Sequence, residues 1–390
     1  MNATLIAETG AGGHRHLHTR FLVEYVYRHR REMLQALWFF VPTALVETIV
    51  ASLSREESAA FRSRVVPGEP CGGAAGLHGV LSAAEGVRAT HVVFLEIDEF
   101  VYALTTAHLS ARVSGVWFRP SFHYSPMGLL HEGLRQRLLG TAKRAVARIL
   151  CKREAIHQIF VFDEWAADYA SRRIHPTKIR HIPDPLAFSS LVPANSAVSS
   201  ERFVFGIIGA ISRRKGVFSA LAALERLTPE AQHKVELRIV GRCALPGRQA
   251  LIEAIERARQ NSKATIVHVD EFVTDERIDE EIVGADVLVL TYQAFVGSSG
   301  VLIRAALHGI PVLATRYGLV GAQVNRYGLG VTVDPFDEKG TARAMEAFVH
   351  GEWPVYNHEA AKSFAAAHSP ERYCERVLDL ILVDNLGCIS

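Results

Sequence analysis

No apolar run in this chain approaches the roughly 18–20 residues that a helix needs to cross a bilayer. Cysteine is scarce: Cys71, Cys151, Cys243, Cys374 and Cys388 are scattered, odd in number, and never spaced C-x-x-C. That excludes a disulfide framework and a zinc ribbon, and fits a reducing compartment. The amino-terminal MNATLIAETGAGGH has neither a basic stretch nor a long apolar one, so it does not read as a secretory signal. Charge of one sign is missing too. With 43 Lys and Arg against 41 Asp and Glu the net charge is +2, which argues against bulk nucleic-acid binding. A cytoplasmic protein is expected.

What is present is a globular composition, 49% hydrophobic and 22% charged over 390 residues. That length is too great for one ordinary core and suggests two domains of about 150–200 residues. Short apolar strands alternate with helical stretches throughout, the pattern of parallel α/β layers. In the first half strands are expected near Ala3–Ala7, Ala36–Val41, His91–Leu95, Gly115–Phe118, Ile159–Phe162 and Ile179–Ile182. In the second they fall near Phe203–Ile208, Val235–Val240, Thr265–Val269, Val287–Thr291, Val312–Thr315 and Gly330–Val333. The stretch Phe188–Arg202, FSSLVPANSAVSSER, has serines, a proline and no apolar period, and marks a linker. The expected organisation is thus 1–190, a linker at 191–202, a second domain at 203–369, and a last helix within 370–390 that packs across both. Each half reads as a doubly wound, Rossmann-like domain facing a cleft, with ligands outside the carboxyl ends of the strands.

Two loops in the second half have the chemistry of anion binding. After the strand at Val287–Thr291 comes Gly297-Ser298-Ser299-Gly300, which opens a helix through Val301 and Arg304. Such a loop presents unpaired N–H groups at the positive end of the helix dipole, which favours phosphate by about 0.3–1 kcal/mol before direct hydrogen bonds. The plain alternative is a tight strand-to-helix turn. After the strand at Phe203–Ile208 comes Gly209-Ala210-Ile211-Ser212-Arg213-Arg214-Lys215-Gly216. Glycine allows close approach of a ligand to the backbone, and the cations can neutralise a diphosphate. By itself such a basic run is usually a solvated turn. Arg304, one helical turn past Gly300 and on the same face, is a candidate for the ribose or a phosphate, or else a surface arginine.

Taken in order, these pieces resemble retaining glycosyltransferases of the GT-B fold, especially the large family 4 group. FGIIGAISRRKG resembles that family's strand, glycine and lysine-glycine pair, with Lys215 at the donor-diphosphate lysine. VELRIVG and VDEFVTDERIDEEIVGADVLVLTY resemble its middle strands, and GSSGVLIRAALHGIPVLATRYG its donor loop and helix. RYGLGVTVDPFDEKGTARAM resembles the closing strand and helix. Two departures stand out. The family usually has two glutamates eight positions apart around the donor loop; registering on His308-Gly309-Ile310-Pro311 puts Val296 and Arg304 there. The arginine that commonly follows the first-strand glycine is Ala210, with Arg213 or Arg214 as substitutes.

The first half is expected to be the acceptor side. Glu8–His14 holds Gly12 and Gly13, which resemble the family's glycine-rich loop near donor phosphate and acceptor; the G-x-G-x-x-G spacing is missing. A helix is expected over His18–His29. His14 and His18 are four apart, but no third ligand stands nearby, so hydrogen-bonding or solvated histidines are preferred to zinc. His123, in Arg119–Tyr124 after a strand, resembles the family's active-site histidine near the transferred sugar; a structural loop histidine is the alternative. Glu96, Asp98 and Glu99 are solvated loop acids, or a source of a general base if transfer inverts. Leu130–Arg153 reads as a basic amphipathic helix, either an ordinary domain helix or a contact for anionic lipid at residues 130–153.

The resemblance implies transfer of a sugar from a nucleoside-diphosphate donor to an acceptor hydroxyl on a small molecule, glycan or lipid carrier, with retention. His123, Lys215 and Arg213 are the catalytic candidates. Gly12, Gly13, Gly209, Ser212, Gly297, Ser298, Ser299, Gly300, Val301 and Arg304 are the donor-binding ones. No metal or other cofactor is expected. The rivals are a non-catalytic partner subunit of the same fold, and a nucleotide-sugar epimerase or phosphorylase.

Overall fold

The computed structural model describes residues 2–10, 15–125, 134–186, 201–243, 247–354 and 356–385. Two compact units form, one around Met1–Gly128, Glu132–Ala187 and Ser369–Ser390, the other around Phe188–His368.

The first unit is built on seven parallel strands: β1 (Thr4–Ala7), β2 (Leu37–Pro42), β3 (Val65–Gly68), β4 (His91–Phe94), β5 (Arg112–Trp117), β6 (Ile156–Val161) and β7 (Ile179–His181). Their order is β3-β2-β1-β4-β5-β6-β7. Thr4 of β1 pairs with Leu37 on one side and His91 on the other. All four residues of β1 are buried, as a strand covered on both faces requires. β3 was not expected from the sequence. Its VVPG is a four-residue edge strand carrying a proline, which only an edge tolerates.

β5 and β6 begin three residues earlier than their apolar runs suggest, because their first turns hold polar side chains. Ser114 is buried and meets His91 Nε2 at 2.9 Å. Gln158 is buried too, and its amide donates to Thr177 O at 3.0 Å. Satisfied in this way, a polar residue can occupy a core strand.

The last helix, Pro370–Asn385, groups with the first unit. Tyr373, Cys374, Val377 and Leu378 join the core that includes Leu17, Phe21 and Val26 of the helix Arg15–His29.

The second unit has six parallel strands: β8 (Phe203–Ile208), β9 (Val235–Val240), β10 (Thr265–Val269), β11 (Val287–Leu290), β12 (Val312–Thr315) and β13 (Gly330–Val333). Their order is β10-β9-β8-β11-β12-β13. The second-half strands therefore fall where the sequence puts them, and both units are doubly wound. In such an order the chain leaves β8 and β11 toward opposite sides, so their carboxyl ends open a crevice in the sheet edge. Both glycine-rich loops emerge there. The linker at 191–202 lies outside the described residues apart from its last two positions.

Candidate functional site

The loop after β8 is shaped by glycine. Gly209 has φ +96° and Gly216 φ +76°, the left-handed region. A Cβ on Gly216 would stand 2.1 Å from Thr291 O, so this glycine lets the β8 loop close against the end of β11. The two loops are also joined directly, since the Gln293 N–H donates to Arg214 O at 2.8 Å.

Inside this junction lies Lys215, 8% exposed. Its Nζ donates to Ile208 O at 3.1 Å and to the Tyr292 hydroxyl at 3.3 Å. The Tyr292 hydroxyl in turn sits 3.1 Å from Ser299 Oγ. Ser299, 5% exposed, caps the helix Gly300–His308 by accepting the Leu302 N–H at 3.3 Å. One chain of contacts, Lys215–Tyr292–Ser299, thus unites the two loops that the sequence marked separately. Among the described residues no carboxylate lies within ion-pair distance of Lys215 Nζ.

Other expected donor residues gather around it. Gly297 is buried beside Ser298, whose hydroxyl is enclosed without a hydrogen-bond partner among the described residues. Gly300 and Val301 form the first turn of the helix, where backbone N–H groups have no intrahelical acceptor. Gly209 lies close to the lysine: a Cβ there would be 3.6 Å from Lys215 Nζ. Ser212 precedes the short 3₁₀ turn Arg213–Lys215, and its carbonyl accepts the Lys215 N–H. Arg213 and Arg214 are exposed, with guanidinium groups stacked over Phe218 at 4.7 Å and Phe295 at 4.5 Å. Tyr292 was missed by sequence reasoning. Its position directly after a buried strand was the available clue, but only the tertiary contact shows its hydroxyl between lysine and serine.

Arg304 requires a correction. It is neither a surface arginine nor poised for a ligand, being 4% exposed and committed to two carboxylates of the helix Asp275–Val283. Nη1 donates to Asp279 at 2.7 Å and Nη2 to Asp275 at 2.8 Å, while His308 Nε2 lies 3.3 Å from the other Asp279 oxygen. The guanidinium therefore ties two helices together inside the second unit. At the other family-glutamate position, Val296 supplies no carboxylate.

In the first unit, His123 does follow β5, but its ring has no exposed surface. Nε2 lies 3.0 Å from Asp163 Oδ2. Asp163 also accepts the Tyr124 hydroxyl at 2.5 Å and the Ala166 N–H at 3.0 Å. Burial works against the charged Asp163, but His123, Tyr124 and that N–H outweigh it and hold its carboxyl below the ordinary range. Tyr124 is pushed well above its ordinary value, by burial first and by the Asp163 charge next. The result is a closed His–Asp–Tyr cluster rather than an open imidazole, so direct contact of His123 with a sugar is not what this geometry provides.

The acids after β4 are likewise not all solvated. Glu96 is buried, and Asp98 accepts the N–H groups of Phe118 at 2.7 Å and Arg119 at 3.1 Å, bracing the β5 loop. Burial lifts the Asp98 carboxyl above its ordinary value despite those bonds. Glu99 alone is exposed. His18 is buried against Phe118 and Tyr373, with ring centroids 5.7 and 5.3 Å away. Gly12, Gly13 and His14 lie outside the described residues.

Comparison with known proteins bears on both units. Residues 202–350 match the family described as Glycosyl transferases group 1. HepE from Anabaena, crystallised in complex with UDP, superposes with a TM-score of 0.62 at 14% identity, with 100% of both chains covered. Sucrose-phosphate synthase from Thermosynechococcus elongatus gives 0.64 at 16% identity, again over 100% of both chains. WaaG, a glycosyltransferase involved in lipopolysaccharide biosynthesis, gives 0.60 at 17% identity over 97% of this chain and 99% of that one. At such identities the likeness is one of fold. No curated protein matches the sequence.

Proposed function

We propose that this protein, a glycosyltransferase of the GT-B fold, moves a sugar with retention from a nucleoside-diphosphate sugar to an acceptor hydroxyl. One observation carries the donor assignment: Lys215 is almost fully buried with only neutral oxygens around its ammonium group. An ammonium held away from water without a counter-ion is costly, and an anion at the same spot relieves that cost. The Ser298 hydroxyl and the first N–H groups of the helix Gly300–His308 supply further donors within the same loop junction. A diphosphate answers this combination of one cation, one orphan hydroxyl and a helix terminus.

Bond breaking between sugar and diphosphate raises the negative charge on the leaving oxygen. Lys215 and the helix terminus stabilise that charge as it grows, with the exposed Arg213 close by on the same turn. Attack by the acceptor on the face from which the diphosphate departs retains configuration. No metal is needed, because lysine and backbone dipoles do the neutralising. UDP-glucose is the first donor to test, since HepE has also been crystallised with it.

Calorimetric titration with UDP, GDP, ADP and TDP and their sugars tests the reading. Binding is expected for at least one of them. Lys215→Met is expected to lower kcat/KM by about 100-fold or more, the range for deleting one such stabilising group. Nucleotide affinity unchanged in Lys215→Met would refute the assignment. A second reading is favoured by Val296 and by the engagement of Arg304 with Asp279, which leave both family-glutamate positions without a carboxylate. In that case the protein is a non-catalytic subunit that binds nucleotide without turning over any donor, with or without acceptors.

A further inference from the structure

The helix Leu134–Lys152 carries six basic residues and no acidic one. The whole chain is only +2, so everything outside this helix is net negative by four. Positive charge is therefore concentrated on one element. Four of the eight large hydrophobic side chains that are exposed among the described residues lie on the same helix. The coincidence of these two features on 19 residues calls for a cause.

The structure sorts the helix into faces. Val146, Ala147, Leu150 and Cys151 are buried against the first unit. Leu134, Leu138, Ala142, Ala145 and Ile149 follow one another at steps of three or four, which aligns them along a single stripe. Every one of them is exposed, with Leu134 at 76%, Leu138 at 62% and Ile149 at 47%. This stripe points away from the core and is not what anchors the helix. The cations divide as well. Lys143 and Arg144 are turned inward, donating to the carbonyls of Arg119 and Phe122. Arg148 and Lys152 remain exposed beside Ile149.

We infer that this face docks on an anionic lipid bilayer, the helix lying parallel to the surface with its apolar stripe among the acyl chains. The shape and charge choose the occupant. A convex row of aliphatic side chains flanked by cations matches a plane of apolar tails and anionic headgroups. A second copy would set the exposed Arg137, Arg148 and Lys152 against their own counterparts, which disfavours self-association. The helix does not cross the membrane, since none of the described helices is long and apolar enough. The inference is independent of the nucleotide chemistry in the other unit.

Flotation of the full chain with large unilamellar vesicles tests it. Binding is expected to phosphatidylcholine vesicles containing phosphatidylglycerol, and not to phosphatidylcholine alone, with loss of binding as salt is raised. Each cation near such a surface contributes about 1 kcal/mol, so Arg148→Gln with Lys152→Gln should lower the partition coefficient about 30-fold. Leu138→Ser with Ile149→Ser should abolish flotation while leaving the thermal midpoint and circular dichroism unchanged, because both side chains are exposed. Equal flotation with neutral vesicles, no flotation at low salt, or variants that float like the parent would each overturn the inference. So would lipid-free dimers that dissociate in the serine variant, since the face would then serve another copy of the chain.

Discussion

Replacing Arg304 with Met separates the structural account of this residue from the ligand-binding one. Arg304 is 4% exposed and Asp279 1% exposed, and they meet at 2.7 Å. Removing the arginine strands a buried carboxylate, for which about 3–5 kcal/mol is usual. Two details set the value near the lower end. Asp275 keeps a third of its side-chain surface in water, so its lost pairing counts for little. His308 remains 3.3 Å from Asp279. About 3 kcal/mol in a unit of this size corresponds to a fall of roughly 6–12 °C in thermal midpoint. Adding Asp279→Asn to Arg304→Met removes the stranded charge and should restore part of the loss, with a coupling of about 1.5 kcal/mol or more in a double-mutant cycle. Scanning calorimetry on the four proteins measures both. A midpoint within about 2 °C of the parent together with a tenfold loss of nucleotide affinity would refute the reasoning, because the guanidinium would then serve a ligand.

Three further outcomes are expected. Tyr292→Phe removes the hydroxyl between Lys215 and Ser299 and should weaken nucleotide binding by about threefold to tenfold, the value of one hydrogen bond, with little change in fold; titration calorimetry reads it. Gly216→Ala forces a side chain into φ +76° and against Thr291 O, so urea denaturation should show a loss of about 1–3 kcal/mol. Because the Asp163 carboxyl is held below its ordinary value, its contribution to stability is complete above about pH 4 and is lost as pH falls through the lower folded value. Asp163→Asn should therefore flatten the acid limb of the stability profile, and an acid limb that is unchanged by it would count against the His123–Asp163–Tyr124 cluster.

Strand periodicity made most of the fold legible. Buried parallel strands are short unbroken apolar runs, as in VLVL of β11 and VLAT of β12, and such runs survive any arrangement of their neighbours. The edge strand β3 escaped because a proline and four residues leave no period to read. The two candidate loops were visible because glycine, serine and cations stand together directly after β8 and β11, which the sequence displays openly. Their convergence was not visible. Thr291 O fixes Gly216, and the Tyr292 hydroxyl sits between Lys215 and Ser299, through contacts between segments some 75 positions apart.

Composition and local pattern by themselves determined two doubly wound α/β units, the loops rich in glycine, serine and cations after β8 and β11, and a basic helix, described over Leu134–Lys152. Burial and pairing are properties of the assembled chain, and those the tertiary structure decided. It made Arg304, which the sequence left as a ligand candidate or a surface arginine, a buried strut, because two aspartates on another helix come within hydrogen-bond reach. It closed His123 against Asp163, because β5 and β6 are neighbours in the sheet. It also set the aliphatic stripe of Leu134–Lys152 outward, because helical phase shows which residues share a face but only packing shows which face meets the core.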